Sequence, residues 1–197
     1  MKQIIVSIII ILAIVSTTIK ATTAYFSDTE TSSGNTFSTG TLNLTLDGAN
    51  SNVAKFNVSG MKPGDTHIGT WTIRNTGSID GYLDMHNITQ THSPGTTTEP
   101  ELTVEDPDVG SLGSLLNITL FVDANNNGIL DSGETTIYSG LLNGLATSYD
   151  ANIPLSAGSA NYITMAVNWP SGPNDNKGQG DVAQLDMTFE LGQTTGQ

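Results

Sequence analysis

Twelve consecutive residues carry the most specific chemistry in this chain. Asp123-Ala124-Asn125-Asn126-Asn127-Gly128-Ile129-Leu130-Asp131-Ser132-Gly133-Glu134 fits the calcium loop D-x-[DN]-x-[DN]-G-x5-E at every defined position. Ca2+ takes six to eight oxygen ligands in a flexible shell. Asp123, Asn125 and Asn127 would offer side-chain oxygens and Ile129 its carbonyl. Asp131 would make a direct or water-mediated contact, and Glu134 would supply a bidentate carboxylate. Gly128 permits the sharp turn. Two Asn in place of Asp lower the ligand charge, which points to micromolar or weaker affinity. The flanks Leu120-Phe121-Val122 and Thr135-Thr136-Ile137-Tyr138 read as strands. The ion would therefore pin a long hairpin rather than work a helix–loop–helix sensor. The competing reading is a turn without metal, since Asn and Gly are also the common turn formers.

Other reactive constellations are thinner. A zinc protease usually shows H-E-x-x-H, two ligands on one helical face with a Glu base. The chain has His67, His86 and His92, none followed by Glu. A zinc site built from distant residues is the remaining route to catalysis. No G-x-S-x-G elbow, P-loop or dinucleotide fingerprint is present. Glu105-Asp106 and Asp108 sit in a loop-like stretch where solvation is the default reading. The residues thus favour a protein that is not an enzyme. Four Asn head N-x-[ST] sequons, at Asn43, Asn57, Asn87 and Asn117. Asn43, Asn57 and Asn117 fall on the polar side of alternating strands, where a glycan would be accessible. In an Asn- and Thr-rich chain, chance accounts for such matches equally well.

The elements that would position these groups are strands. The 197 residues include 6 Lys+Arg against 19 Asp+Glu, a net charge of −13, with 21 Gly, 7 Pro and no Cys. So acidic a balance argues against nucleic acid, whose phosphates need Lys and Arg. Without Cys there is no disulfide frame, thiolate metal site or cysteine nucleophile. Period-2 alternation recurs at Leu42/Leu44/Leu46, Ala54/Phe56/Val58, Trp71/Ile73, Leu116/Ile118/Leu120/Val122, Ile163/Met165/Val167/Trp169 and Ala183/Leu185/Met187/Phe189/Leu191. Residues 82–89 alternate less cleanly, as a β-bulge would make them do. Only residues 109–116 suggest a short helix. Turn residues such as Asp47-Gly48, Lys62-Pro63-Gly64-Asp65 and Asn75-Thr76-Gly77 separate the runs. Residues 90–112, rich in Thr, Pro, Gly and acid, read as a surface insertion. The sum is an all-β chain, a jelly-roll-like antiparallel β-sandwich.

The first 24 residues read as an address. Met1-Lys2-Gln3 precedes an apolar run from Ile4 to Val15, the length of a signal h-region and short of a membrane span. Thr22 and Ala24 suit a cleavage site beside Ala24, although an uncleaved N-terminal anchor fits the same residues. Cleavage by signal peptidase would remove Lys2 and Lys20, leaving 4 basic against 19 acidic residues, or −15. Residues 25–197 then form a single domain with no stable membrane span, secreted or held at the cell surface.

Three stretches carry a family resemblance. They are Ala24-Tyr25-Phe26-Ser27-Asp28-Thr29-Glu30, followed by Asn35-Thr36-Phe37-Ser38-Thr39-Gly40-Thr41-Leu42; Val58-Ser59-Gly60-Met61-Lys62-Pro63-Gly64-Asp65, followed by Trp71-Thr72-Ile73-Arg74-Asn75-Thr76-Gly77; and Gln179-Gly180-Asp181-Val182-Ala183-Gln184-Leu185-Asp186-Met187-Thr188-Phe189. In this order they resemble the TasA/camelysin family of secreted proteins, including archaeal bundling-pilus subunits. The resemblance implies a jelly-roll subunit of extracellular filaments, a biofilm-matrix fibre or bundling pilus. It also implies that residues 24–35, led by Ala24, Tyr25, Phe26, Ser27 and Asp28, form a donor strand that completes the sheet of the next subunit. Such β-augmentation draws affinity from main-chain bonds and specificity from pockets for alternate side chains. Head-to-tail insertion does not close and so yields a homopolymer. An N-terminus that returns to its own sheet, or frays, is the alternative. Camelysin-type relatives have been classed as metalloproteases. A monomeric adhesive module is a further alternative, for which Phe121, Tyr138 and Tyr149 are scattered candidate aromatics.

Overall fold

The structure is a computed structural model, and it describes residues 39–49, 60–96, 99–105 and 107–196. The signal segment, the donor residues 24–35, the alternating run 54–58 and Asn57 lie outside the described residues.

Nearly all regular structure among the described residues is β. In chain order the strands are β1 (Leu44–Leu46), β2 (Thr66–Asn75), β3 (Gly81–Ser93), β4 (Asn117–Val122), β5 (Thr136–Leu141), β6 (Tyr149–Leu155), β7 (Ala160–Asn168) and β8 (Val182–Gly192). Two single helical turns, α1 (Glu99–Leu102) and α2 (Leu112–Leu115), lie between β3 and β4. One sheet has the order β1-β2-β7-β4-β5 and the other β6-β3-β8, with every pairing antiparallel. The all-β sandwich expected from the alternation is therefore present.

The inward rows make the core. Trp71 and Ile73 of β2, Leu83 and Met85 of β3, Ile118 and Leu120 of β4, Ile153 and Leu155 of β6, and Ile163 and Met165 of β7 are all buried. Two buried, hydrogen-bonded side chains fix the sheets, Asn75 between them and Asp84 within one. Asn75 is wholly buried; its Nδ2 donates to Ile79 O at 2.8 Å and to Leu155 O at 3.2 Å, and its Oδ1 accepts from Gly77 N at 2.9 Å. It thus stitches the β2–β3 turn of one sheet to β6 of the other. Gly77 is required there because a Cβ would stand 2.1 Å from Thr41 O. Asp84, buried where the β3–β6 register shifts, accepts from Asn152 N at 2.6 Å and so replaces a ladder bond lost to the bulge.

Three sequence expectations shift. Strand β3 runs on to Ser93, so the stretch read as an insertion over 90–112 begins inside the sheet. Phe121 and Thr164 fall between the apolar positions of their alternating runs, which puts them on the outward side, yet Phe121 is 1% exposed and Thr164 fully buried. They pair across β4 and β7 on the face away from the core, where the loop after β4 folds back over the sheet. Alternation assigned their face correctly but not what covers it. Strand β6 lacks a long apolar alternation and was not anticipated.

Leu120 is fully buried on the central strand β4, between β5 and β7. Leu120→Ala should lower the unfolding free energy by about 3 kcal/mol, the lost transfer plus cavity terms. Urea denaturation of the two proteins measures it; a change below about 1 kcal/mol would mean that this position is not core.

Candidate functional site

The loop that leaves β4 is held by its own motif residues. Asp123 is fully buried at its root and anchors to the sheet: its N–H donates to Tyr162 O at 2.9 Å and its Oδ2 accepts from Thr164 Oγ1 at 2.8 Å. Thr164 Oγ1 in turn lies 2.7 Å from Thr70 Oγ1, so a hydroxyl ladder joins β2, β7 and the loop. From the other side Asp123 Oδ1 accepts from Asn127 N at 3.0 Å and Oδ2 from Gly128 N at 2.8 Å. Asn125 Oδ1 accepts from Asn127 N at 3.1 Å and Asn127 Oδ1 from Ile129 N at 2.7 Å. Glu134 closes the ring: Oε1 accepts from Ala124 N at 2.8 Å and Oε2 from Asp131 N at 2.9 Å. Gly128, at φ +77°, makes the bend.

All the side chains named for calcium therefore converge in one turn, and Ile129 follows Gly128 within it. The amides of Asn125 and Asn127 both donate from Nδ2 to Asp131 Oδ2, each at 2.8 Å. Those two hydrogen bonds hold the Asp131 carboxyl below its ordinary value of 3.8. The loop's three carboxylates do not close on one point in this arrangement, because the amides lie between them.

A second acidic group assembles from far apart in sequence. One carboxylate oxygen each from Glu101, Asp108 and Asp181 lies within 4.8 Å of the others. Sequence reasoning placed Asp108 and neighbouring Glu105 in a solvated loop. The structure instead buries Glu101 completely. The available signal was glycine: Gly95 and Gly180 both have positive φ, and a Cβ on either would stand 2.0 Å from the carbonyl oxygen of Gly180 or Thr96 respectively. The two backbones cross there at closest approach, which delivers Asp181 to the 99–111 segment.

The histidines stay apart. His67 is on β2 of the five-stranded sheet, while His86 and His92 are on β3 of the other. His86 Nε2 lies 3.6 Å from Glu190, and His92 Nε2 lies 3.3 Å from Gln90 Oε1 with its ring against Gly113. Among the described residues, no group of three His, Cys, Asp or Glu side chains that closes on a point contains a histidine. That donor set does not fit a nitrogen-ligated zinc centre, so no catalytic step is assigned to these residues. The aromatic candidates form no platform either. Phe121 is buried, and Tyr138 and Tyr149 pack on each other at 6.0 Å with both hydroxyls bonded to backbone. Of the sequon residues, Asn43 and Asn87 are exposed and Asn117 is half-buried.

Comparison with known proteins places this architecture. The profile of the camelysin metallo-endopeptidases matches residues 1–197. No curated protein matches the chain. The family match corrects the reading of the chain as no enzyme, because the family is described by a metallo-endopeptidase activity. It supports a structural or protease-like protein of the cell surface or exterior, and makes a metal plausible. No helix among the described residues is long and apolar enough to cross a membrane.

The lowered Asp131 value has a pH consequence. A carboxyl depressed in the folded state contributes stability above its unfolded value, and that contribution is lost as pH falls through the folded one. In Asn127→Ala, Asp131 should titrate closer to the ordinary range by carboxyl-carbon NMR. An unmoved titration would mean that the amide does not hold the carboxylate.

Proposed function

The chain belongs to the TasA/camelysin family, and from that premise we propose that it is an exported subunit of extracellular filaments, joined head to tail by donor strands. One feature of the sheet order carries this reading. A jelly roll is an antiparallel ribbon of eight strands rolled so that first pairs with last, second with seventh, third with sixth and fourth with fifth. The pairs β2–β7, β3–β6 and β4–β5 are all made. The remaining pair is not: β1 turns to β2 instead, and among the described residues the outer edge of β8 has no strand beside it. That edge is eleven residues long, and its inward row Ala183, Leu185, Met187, Phe189 and Leu191 is only half-buried. A long free edge over a half-covered apolar row is what an incoming strand would complete. Residues 25–35 of a second copy are the proposed donor, with Tyr25 and Phe26 as anchors, after signal peptidase has removed residues 1–24.

Calcium in the 123–134 loop belongs to the same reading. Asp123, Asn125, Asn127, Asp131, Glu134 and the carbonyl of Ile129 are the proposed ligands. The Asn amides would turn from Asp131 to present oxygen. The ion would be structural, fixing the loop that covers Phe121 and Thr164. Glycans at the sequons, Asn43 and Asn87 foremost, suit an exported polymer.

Electron microscopy tests the polymer. The mature chain should form fibres, and the chain lacking residues 24–35 should stay as single particles that bind a peptide of that sequence. Normal fibres from the shortened chain would sink the donor-strand reading. Calcium is tested separately by melting. Added Ca2+ should raise the parent's melting temperature over chelator by several degrees, an effect of mass action on the folded state. Glu134→Gln should show a smaller rise; an equal one would remove the loop site.

A further inference from the structure

One oxygen of Asp123 is fastened to the sheet, and the fastening leaves the other with room for a ligand. Thr164 is fully buried on β7, opposite Thr70 of β2 and Phe121 of β4. Its Oγ1 donates to Asp123 Oδ2 at 2.8 Å and lies 2.7 Å from Thr70 Oγ1. A hydroxyl has one proton to give. With that of Thr164 committed to the carboxylate, the second contact must use the proton of Thr70. The ladder therefore runs one way, from Thr70 through Thr164 to Asp123. The Asp123 carboxylate, itself fully buried, takes three donors: Asn127 N on Oδ1, and Gly128 N and Thr164 Oγ1 on Oδ2. Each carboxylate oxygen offers about two lone-pair sites. Among the described residues Oδ2 is thus saturated, and Oδ1 keeps one site. The loop also reaches β2, since a Cβ on Gly128 would stand 3.5 Å from Ile68 Cγ2.

We propose that Thr164, backed by Thr70, is a positioning residue for calcium in the 123–134 loop: it holds Asp123 Oδ2 to the sheet and so presents Oδ1 to the ion. The inference rests on the calcium reading of the loop, and it adds two residues that lie outside the twelve-position motif. A group that hydrogen-bonds a metal ligand fixes its orientation, and losing one typically costs about 10–100-fold in affinity. The hydroxyl suits the task. It donates without bringing a charge, whereas Lys or Arg in its place would compete with the cation for the carboxylate. Burial makes Thr164 hard to replace, because its side chain is sealed from the water that would otherwise take over the bond. Asp123 is also the motif residue whose N–H donates into the sheet, to Tyr162 O at 2.9 Å, so both its ends are set by β7.

Calorimetric titration of the mature chain with CaCl2 tests it, beside Thr164→Val, which keeps the shape and drops the hydroxyl, and Thr164→Ser, which keeps the hydroxyl. Calcium affinity should fall at least about tenfold in Thr164→Val and return to near the parent's in Thr164→Ser. Thr70→Val, which removes the donor behind Thr164, should weaken binding in the same direction and by less. Leu155→Ala, a core truncation on β6 of the other sheet, should melt lower and bind calcium as the parent does. Near-ultraviolet circular dichroism checks that each variant keeps its packing; the half-buried Thr70 decides the matter if Thr164→Val does not fold. Parent affinity in a folded Thr164→Val chain, or in Thr70→Val where that variant decides, would overturn the positioning role and leave the calcium loop standing. A Ser variant as weak as the Val one, or an equal loss in Leu155→Ala, would overturn it too, by reducing the effect to packing. No calcium uptake by the parent would overturn the loop site and this inference together.

Discussion

Main-chain pairing between strands that are distant in sequence governs this molecule. Three of the four pairs of a rolled eight-strand ribbon are formed, and each brings together segments separated by turns, helices or whole strands. Once β2 lies beside β7 and β3 beside β8, the inward rows have only one place to go. Trp71 meets Phe189 edge to face at 5.6 Å across the two sheets as a result. Among the described residues, no strand lies beside the outer edge of β8.

Acid is the second constraint. A chain with a net charge of −13 repels itself unless its carboxylates are spread out, hydrogen-bonded or neutralised. Two places concentrate them, and each manages the charge differently. In the 123–134 loop, backbone N–H groups and Asn amides surround every carboxylate, so Asp131 ionises more readily than an ordinary aspartate. Around Asp181 the donors satisfy only part of the oxygen, and ionisation is opposed.

Membership in a family described as metallo-endopeptidases sits beside a histidine distribution that assembles no nitrogen-ligated centre among the described residues. Carboxylate and amide oxygens, not imidazole nitrogens, line the two places where acid is concentrated. The same sites lie at opposite structural tasks: one covers the outer face of β4 and β7, the other fastens the longest connection to β8.

Much of this was legible from the sequence. Alternation marked β2, β4, β7 and β8, because a sheet with one buried face must alternate, and Asp123 to Glu134 announced a turn of fixed length through its ligand spacing. Irregularity over residues 82–89 foretold the bulges of β3, and residues 109–116 contain the one turn of α2. What period 2 does not encode is cover. Phe121 and Thr164 face away from the core and are still buried, and the loop that directly follows β4 reaches Thr164 across the sheet. Nor does sequence encode which edges meet: Glu101 and Asp181 stand 80 positions apart and converge only because Gly95 and Gly180 let two backbones cross in contact. Local pattern fixed the strands and the loop, because both are set by neighbours along the chain. Pairing, cover and the carboxylate cluster depended on contacts across it, which only the folded sandwich decides.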